Sequence, residues 1–458
     1  MKNINFGILL LLLSLLKFST VTAQVQFETF SSFDKALVKA KKDKKLIFVQ
    51  IASPSCVQCN DVGQKGLSSP ALKEKFDINF ISLSIKFDDE IYKQIITKTN
   101  LGSFSMGSLF LDNDGYVLQR LGSTSSSPIM YLEIADKAIA LSKNNTLKEL
   151  DMQYAKGERN KDLLKKLIQE KSAVNFETYH LVDEYINLNN INELSTIDNA
   201  RLMIEQGLPL NGKARKILYA LFTTKTIDSL FFTYSLEQRI KINSRVISST
   251  RNIAKKDKDR NLAMQLSSFI TSTYAKEYEK GRFYGQSYLN NFYKDIKDTT
   301  NFLQNAQSFC DYTLMSLSVD TLKKREEKER NTMFTQRRQS QGVNGITSFS
   351  YTSHYLKYAE ELNNISFDFF KYTNDLEKLV KALKWSKRAI DIYEALSPDE
   401  SIKQNSSMMD TYACLLYRLG KKDEAIEWET KAIDNFKKLG FNTSNLESTL
   451  NKIKTGVL

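Results

Sequence analysis

The sequence predicts an α/β domain followed by a long all-helical region, and three observations indicate this fold class. The apolar, strand-like run 46–51 is closely followed by Cys56 and Cys59, which are three residues apart. Farther on, an Asp-Gly turn separates two more apolar runs, a pattern typical of a β-hairpin. From about residue 143, apolar residues instead fall in groups at helical spacing, and residues 151–350 contain one proline.

The α/β domain is predicted to occupy residues 24–142. Its first helix covers the amphipathic stretch 33–42, and the buried strand over 46–51 follows. Residues 70–76 continue or follow the helix that begins at the cysteines, and 80–85 alternates apolar and polar residues as a half-buried strand does. The remaining elements are the strands 108–111 and 116–121 around the turn 112–115, and a closing helix over 129–141.

Residues 143–322 are predicted to form an all-helical region of hairpins stacked in series, as in degenerate helical repeats. Residues 323–354 then interrupt the pattern with a charged run and a polar stretch containing glycines, which predicts a charged helix end followed by a flexible linker. The helical pattern before this linker consists of Leu163, Leu164, Leu167 and Ile168, followed by Leu181, Val182, Tyr185 and Ile186.

The C-terminal region, residues 355–458, is again predicted to be helical and has small residues at a regular spacing. Ala382 and Ala389 are seven residues apart, and so are Ala425 and Ala432. Seven residues make two helical turns, so each pair lies on one helix face. Small side chains on such a face allow paired helices to approach closely.

Residues 1–23 have the pattern of a secretory signal peptide. Lys2 supplies a positive start, 8–16 is almost purely apolar, and small residues at 21–23 provide a cleavage site. We therefore expect an exported protein whose mature chain begins at Gln24. The apolar run is short for a retained anchor, and no later stretch is apolar enough to span a membrane, so no stable membrane insertion is expected.

The chain is basic, with 65 lysines and arginines against 53 acidic residues and a formal net charge of +12. The lysines are spread along the chain and interleaved with acids, which is typical of solvated helical faces. An exported protein also rarely meets nucleic acid. We therefore expect no nucleic-acid partner.

Thiol chemistry is the main functional signal. The chain has 4 cysteines, too few for a disulfide scaffold. A helix N-terminus carries partial positive charge, which favours a thiolate at Cys56, and the spacing puts Cys59 on the same helix face. The pattern predicts thiol–disulfide exchange in which Cys56 attacks and Cys59 resolves. An inert disulfide that closes one helical turn and a soft-metal site are the alternatives.

A zinc site and a cofactor are not expected. Structural zinc needs four ligands, there is no second cysteine pair, and the 2 histidines, His180 and His354, lie far away in sequence. Both histidines are interpreted as helix-surface or packing residues. Cys310 and Cys414 lie in apolar helical contexts and are predicted to be buried small hydrophobic residues.

Residues 27–142 resemble a thioredoxin-fold domain of the kind found in secreted bacterial thioredoxin-like proteins. The resemblance lies in the order and spacing of Leu46–Ile51, Cys56-Val57-Gln58-Cys59, Phe80–Ile85 and Ser108–Gly115. It implies a redox-active centre with Cys56 as the nucleophile and Cys59 as the resolving thiol.

The sequence departs from the thioredoxin pattern at three places. Val57 and Gln58 stand where that family has Gly and Pro, and these residues tune redox poise. Gln50 stands where the family has a buried Asp that helps to move a proton, and Met106 stands where it has a cis-proline. A cis bond before a non-proline residue is costly, so we expect a trans, differently shaped loop. The substrate loop of the family corresponds here to Ser105, Met106 and Gly107.

The C-terminal region resembles tetratricopeptide repeats. Thr411–Ile433 matches the small, Gly and Ala positions of that repeat, and Asn364–Ile390 is a more degenerate copy. The resemblance implies a surface that binds a protein partner. The combination with a thioredoxin-like domain resembles cell-envelope proteins of Gram-negative bacteria, so the periplasm is the expected location.

These features lead to one main functional expectation and two alternatives. The main one is an exported thiol–disulfide oxidoreductase that reduces or isomerises disulfides of envelope proteins and binds a protein partner through its helical repeats. The first alternative is a redox-inert scaffold in which the thioredoxin-like domain and the repeats serve protein–protein interaction. The second is the handling of a soft metal, notably Cu(I), by Cys56, Cys59 and Met106.

Overall fold

The computed structural model describes residues 24–53, 57–99, 101, 104, 106–143, 146–274, 276–340, 353–396 and 405–458, with the backbone alone at 57–59 and 333–340. The signal peptide predicted over 1–23 lies outside these residues and stays a prediction. The chain divides into two compact units. The first contains the residues up to Leu208 and Gly212–Ile242, and the second contains Pro209–Asn211 and Asn243–Leu458.

A small mixed sheet lies near the N-terminus, in the first unit. Its strands are β1 (Leu46–Ala52), β2 (Phe80–Lys86), β3 (Gly107–Leu111) and β4 (Val117–Leu121). The strand order is β2-β1-β3-β4, with β1 and β2 parallel and the other two pairings antiparallel. The helices of this region are α1 (Phe33–Asp43), α2 (Val57–Gly66), α3 (Pro70–Asn79), α4 (Glu90–Thr99) and α5 (Pro128–Ser142).

Strand β1 is central, and its side chains alternate between two cores. Ile47, Val49 and Ile51 pack into the core that also contains residues of α1 and α4. Phe48 points to the opposite face, where its ring lies 4.7 Å from that of Phe76 of α3 at an interplanar angle of 81°. Helices thus cover both faces of the sheet, which explains why β1 is apolar at nearly every position.

The prediction of a small α/β region is confirmed, and each predicted strand is present with one end shifted by one residue. The hairpin turn is held by Asp112, whose Oδ1 accepts from the N–H of Asp114 at 2.9 Å and from that of Tyr116 at 2.8 Å. Gly115 follows at a φ of 91°, a conformation that favours glycine. Helix α4 was not predicted from the sequence.

The rest of the first unit is helical. All eight apolar residues of the predicted helical pattern, from Leu163 to Ile186, are buried. Phe176 packs against both the helical core and one core of the sheet region, so the two parts are joined within this unit. The helices are α6 (Thr146–Ala155), α7 (Lys161–Ala173), α8 (Tyr179–Leu188), α9 (Ile191–Leu194), α10 (Ile197–Glu205), α11 (Lys213–Leu221) and α12 (Thr224–Phe231), and α13 (Leu236–Asp257) contains the boundary between the units.

The second unit is helical throughout its described residues. Cys310 and Cys414 are buried and free, as the sequence predicted, and burial raises the pKa of both thiols. The unit consists of α14 (Arg260–Thr273), α15 (Tyr278–Asp295), α16 (Thr299–Phe309), a π-helix (Cys310–Leu314), α17 (Val319–Ser340), α18 (Leu356–Tyr372), α19 (Leu376–Leu396), α20 (Ser406–Arg418), α21 (Lys422–Lys438) and α22 (Ser444–Thr455). Residues 341–352 of the predicted linker lie outside the described residues.

Small residues bring the helices of this unit close together. Ala382 and Ala389 of α19 and Ala425 and Ala432 of α21 are fully buried, which agrees with the spacing argument. In α19, the carbonyl of Ala382 accepts from the Ser366 hydroxyl of α18 at 3.1 Å. Such a bond across two helices requires their backbones to approach closely.

Two glycines of α15 create a second close contact, which the sequence did not indicate. A Cβ on Gly281 would lie 2.4 Å from the carbonyl oxygen of Thr271, and one on Gly285 would lie 2.6 Å from that of Ser267. The hydroxyl of Ser267 donates to the carbonyl of Gly285 at 2.8 Å. Because these partners are spaced by four residues on both α14 and α15, the two antiparallel helices meet along one full turn.

A buried carboxyl pair joins α20 and α21. Glu429 of α21 is fully buried, and its carboxyl lies beside that of Asp410 of α20. Burial first, and the nearby Asp410 carboxyl second, raise the pKa of Glu429 from 4.5 to about 9. Two carboxyls in such a position share a proton at neutral pH, because both cannot be ionised in a low-dielectric site.

We expect this pair to make stability fall as the pH rises. The folded state keeps a proton that the unfolded state releases above pH 4.5, so the free energy of unfolding decreases between pH 4.5 and about 9. Glu429→Gln removes this ionisation and should be more stable than the wild type at about pH 9, on the order of 2 kcal/mol in urea unfolding. The gain should shrink towards pH 5. The exposed Glu427→Gln is the matched control, and an equal pH dependence in all three proteins would contradict the prediction.

Candidate functional site

The cysteine motif lies where the central strand leads into a helix. Strand β1 ends at Ala52 and α2 begins at Val57, so Cys59 is in the first turn of α2. Cys56 lies outside the described residues, and only the backbone of Cys59 is described. A helix N-terminus carries partial positive charge, which stabilises a thiolate placed beside it.

Asn60, the residue after the second cysteine, connects the helix to the end of the strand. Its Nδ2 donates to the carbonyl oxygen of Ser53 at 3.0 Å, and its Oδ1 accepts from the backbone N–H of Ser53 at 3.1 Å. The two bonds close a ring around the segment that carries the cysteines. They therefore hold its two ends at a defined separation.

A polar group lies beneath α2, on the face of the sheet opposite to Ile51. Gln50 is only 7% exposed, and its Oε1 accepts from the hydroxyl of Ser108 at 2.6 Å. These two residues are direct partners in the β1–β3 pairing, which explains why their side chains meet. The hydroxyl of the fully buried Tyr131 contacts Ser108 and accepts from the N–H of Ser125 at 3.3 Å, and burial raises the pKa of this phenol.

Glycines on α2 allow this polar group to lie directly under the helix. A Cβ on Gly63 would lie 3.4 Å from Nε2 of Gln50 and 3.2 Å from a side-chain carbon of Thr124. A Cβ on Gly66 would lie 2.0 Å from the carbonyl oxygen of Ser125. Gly63 follows Cys59 by four residues, one helical turn, so the Gln50 amide lies one turn from the second cysteine.

The predicted substrate loop comes to the same end of the sheet. Gly107 pairs with Ile51, so Met106 precedes β3 beside the end of β1. Gly107 has a φ of 121°, and a Cβ there would lie 2.0 Å from the carbonyl oxygen of Leu121, so only glycine fits. Met106 is half-buried, and Ser105 lies outside the described residues. None of the described peptide bonds is cis. The bond between Ser105 and Met106 is not among the described bonds, so the expectation of a trans bond there stays a prediction.

The two histidines lie apart from the cysteine motif. His180 is on the surface of α8, and His354 is buried among aromatic rings, with that of Phe283 at 5.4 Å. Both positions match the interpretation made from the sequence. Within the described ranges, no group of three or more His, Cys, Asp or Glu side chains is placed to hold a metal ion.

Sequence reasoning named the cysteines, Gln50 and the loop before β3 as candidates. It did not name Asn60, Ser108 and Tyr131, which lie around Gln50 and the start of α2. Asn60 carried one signal, because a short polar side chain just inside a helix can bond to the preceding turn. The contact between Gln50 and Ser108 depends on strand register, which no local pattern predicts.

Comparisons with known proteins add no family to this description. No protein-family model matches the sequence, and no match to a curated protein was found. None of the helices formed by the described residues has both the length and the apolar character needed to cross a bilayer.

We expect Asn60 to hold the cysteine segment in place. Asn60→Ala removes both bonds to Ser53 and should lower the free energy of unfolding by about 1–2 kcal/mol. It should also expose the Ser53 amide to hydrogen exchange, whereas Asn60→Asp keeps an acceptor and should preserve part of the protection. Asn79→Ala, which removes one bond to the Lys75 carbonyl on α3, is the control. Unchanged exchange at Ser53 in Asn60→Ala would contradict this role.

Proposed function

We propose that the protein is an exported thiol–disulfide oxidoreductase of the thioredoxin-like type, active in the periplasm of a Gram-negative bacterium. The observation that carries the proposal is the position of the Cys-x-x-Cys motif, between the end of the central strand and the first turn of α2. The order of strands and helices around the motif, and the signal-peptide pattern of residues 1–23, support it as well.

The proposed reaction is a two-step exchange. The Cys56 thiolate attacks a disulfide of a substrate protein, which forms a mixed disulfide and releases one substrate thiolate. Cys59 then loses its proton and attacks the Cys56 sulfur, which releases the second substrate thiol and leaves a Cys56–Cys59 disulfide. The substrate gains two electrons, and a dithiol reductant must return them to the protein. When the same steps proceed in reverse, they oxidise a substrate dithiol.

Gln50 affects the second step. An amide cannot take up the proton of Cys59, and its Oε1 is already occupied by the Ser108 hydroxyl. The proton therefore leaves to water or to the substrate thiolate. We infer that the mixed disulfide is resolved slowly, which would suit a protein that holds its substrate for longer.

The helical region would supply the partner surface. Its second unit has buried alanines and tightly paired helices at the two segments that resemble tetratricopeptide repeats. A protein partner bound there would bring its disulfide to the dithiol repeatedly, because binding through a second site raises the effective concentration.

Two other functions remain as candidates. The neutral Gln50 favours a redox-inert scaffold, in which the same surfaces serve protein–protein interaction alone. Met106, at the same end of the sheet as the cysteine motif, favours the handling of Cu(I) with Cys56 and Cys59. Copper that stays bound to reductively purified protein, and is lost in Cys56→Ser, would support this last function.

The central experiment traps the mixed disulfide. Cys59→Ser leaves Cys56 without its resolving thiol, so after incubation with oxidised glutathione and an envelope extract we expect adducts at Cys56 on non-reducing gels and in mass spectra. Wild-type protein should show few adducts and Cys56→Ser none. Cys414→Ser, which removes a buried thiol, should behave like the wild type. A wild-type pair that dithiothreitol and oxidised glutathione cannot cycle, together with no adduct in Cys59→Ser, would exclude this function.

A second experiment tests the role of Gln50. Gln50→Asp places a carboxylate where it can accept the Cys59 proton, so the mixed disulfide with glutathione should decay faster than in the wild type, by about tenfold or more in stopped-flow measurements. Gln50→Asn, which shortens the side chain without adding a base, is the control. Equal decay in Gln50→Asp and Gln50→Asn would show that proton removal is not limiting.

A further inference from the structure

A cavity of about 550 Å³ lies in the first unit, at the turn between β3 and β4. Its volume falls in the range of small-molecule sites. Its walls come from five parts of the unit, namely α4, the turn, α6, α7 and the start of α8. The residues used below are Lys98, Gly115, Tyr116, Lys148, Lys171 and His180.

This cavity is separate from the cysteine motif. In the β1–β3 pairing, Gly107 lies opposite Ile51, at the end where the cysteine segment leaves the sheet. Leu111, the last residue before the turn, lies opposite Ile47 at the other end. The proposed dithiol chemistry therefore makes no use of the cavity.

Three lysines line the cavity, and two of them are neutralised by aspartates. Lys171 forms an ion pair with Asp151 at 2.7 Å, and Lys148 is paired with Asp114 of the turn. The hydrogen bond from Lys148, and after it the one from Lys41, lower the pKa of Asp114 to about 2. The Lys148–Asp114 ion pair is thus a stable component of the wall at neutral pH.

Lys98 is the exception among these lysines. The nearest carboxylate oxygen to its Nζ belongs to Asp34 at 3.9 Å, and the Asp34 side chain is 83% exposed. An ion pair this long and this exposed contributes little. With the other two lysines offset by Asp114 and Asp151, the Lys98 ammonium gives the lining a net charge of one positive unit.

Gly115 determines where the Lys98 side chain runs. A Cβ at Gly115 would lie 3.2 Å from Cε and 3.4 Å from Cδ of Lys98, so the lysine stem lies across the bare glycine of the turn. The contact places the Lys98 stem against the turn, beside the cavity that both residues line.

Apolar rings and a neutral imidazole form the rest of the lining. The Tyr116 ring lines the cavity, and the Lys148 ammonium lies 4.9 Å from its centroid. Desolvation first, and the Lys171 charge second, lower the pKa of His180, so its imidazole is neutral at pH 7. Among the described residues, His180 has no hydrogen-bond partner. It can therefore accept or donate a hydrogen bond to a ligand.

We propose that this cavity binds a small organic carboxylate with a flat apolar body, with the carboxylate at Lys98 and the body between Tyr116 and His180. One weakly paired cation matches one negative charge, whereas the second charge of a phosphate monoester would meet Asp114 and Asp151. The rings supply the apolar contact that an inorganic anion cannot use.

The two histidines of the chain make this testable by NMR, because a sample with labelled histidine gives one ring signal for each. His354 lies in the second unit and serves as an internal reference. On titration with benzoate to about 10 mM at about pH 7.5, we expect the His180 signal to shift and saturate while the His354 signal stays in place. Benzyl alcohol, which has the ring without the charge, and phenyl phosphate should shift His180 at least tenfold less at equal concentration.

Lys98→Met should abolish saturation of the His180 signal, and Lys93→Met should leave it unchanged, since Lys93 is an exposed residue of α4 paired with Glu90. Equal thermal unfolding of both variants shows that the fold is retained. The proposal is overturned by a linear or absent response of wild-type His180 to benzoate, by an equal response to benzyl alcohol, or by saturation that persists in Lys98→Met.

Discussion

The two-sided burial of strand β1 is the constraint from which the N-terminal region follows. Its alternate residues enter two separate cores. A shift of the strand register by one residue would therefore place Phe48 in the core of Ile47 and Ile47 in the core of Phe48. This register fixes the neighbours of Gln50, which lies on the Phe48 side and opposite Ser108. It also fixes where the chain leaves the strand, at Ser53, and hence where the cysteine-bearing helix begins.

The two proposed sites, one for thiol exchange and one for a small ligand, lie at opposite ends of the same sheet. At one end, Asn60 ties the strand-to-helix segment, and the Gln50 amide lies under α2. In the proposed exchange, water or the substrate takes the Cys59 proton, because the Gln50 amide cannot accept it. At the other end, the hairpin turn holds several charges in fixed pairs and leaves Lys98 weakly paired. A site for exchange and a site for a small ligand can thus occupy one small domain.

The helical part depends on a different principle, the close approach of helices through small residues. Buried alanines, a serine that bonds across a hairpin and two glycines of α15 bring backbones together where larger side chains would separate them. Burial in this dense packing disfavours ionised carboxylates, so the Asp410–Glu429 pair keeps a proton at neutral pH. Its position between α20 and α21 couples the packing of the last hairpins to pH.

The sequence by itself determined the features that depend on local spacing. The strand positions, the hairpin at Asp112 and the buried residues of the helical pattern follow from neighbours within a few residues. The same kind of local pattern suggests the chemistry proposed for Cys56 and Cys59. Only the tertiary structure decided that the Ser108 hydroxyl donates to the Gln50 amide oxygen and that two glycines of α15 contact carbonyl oxygens of α14. It also decided that the Lys98 side chain lies across the turn. These contacts join residues from different elements, and strand register and helix packing, which depend on the whole fold, bring them together.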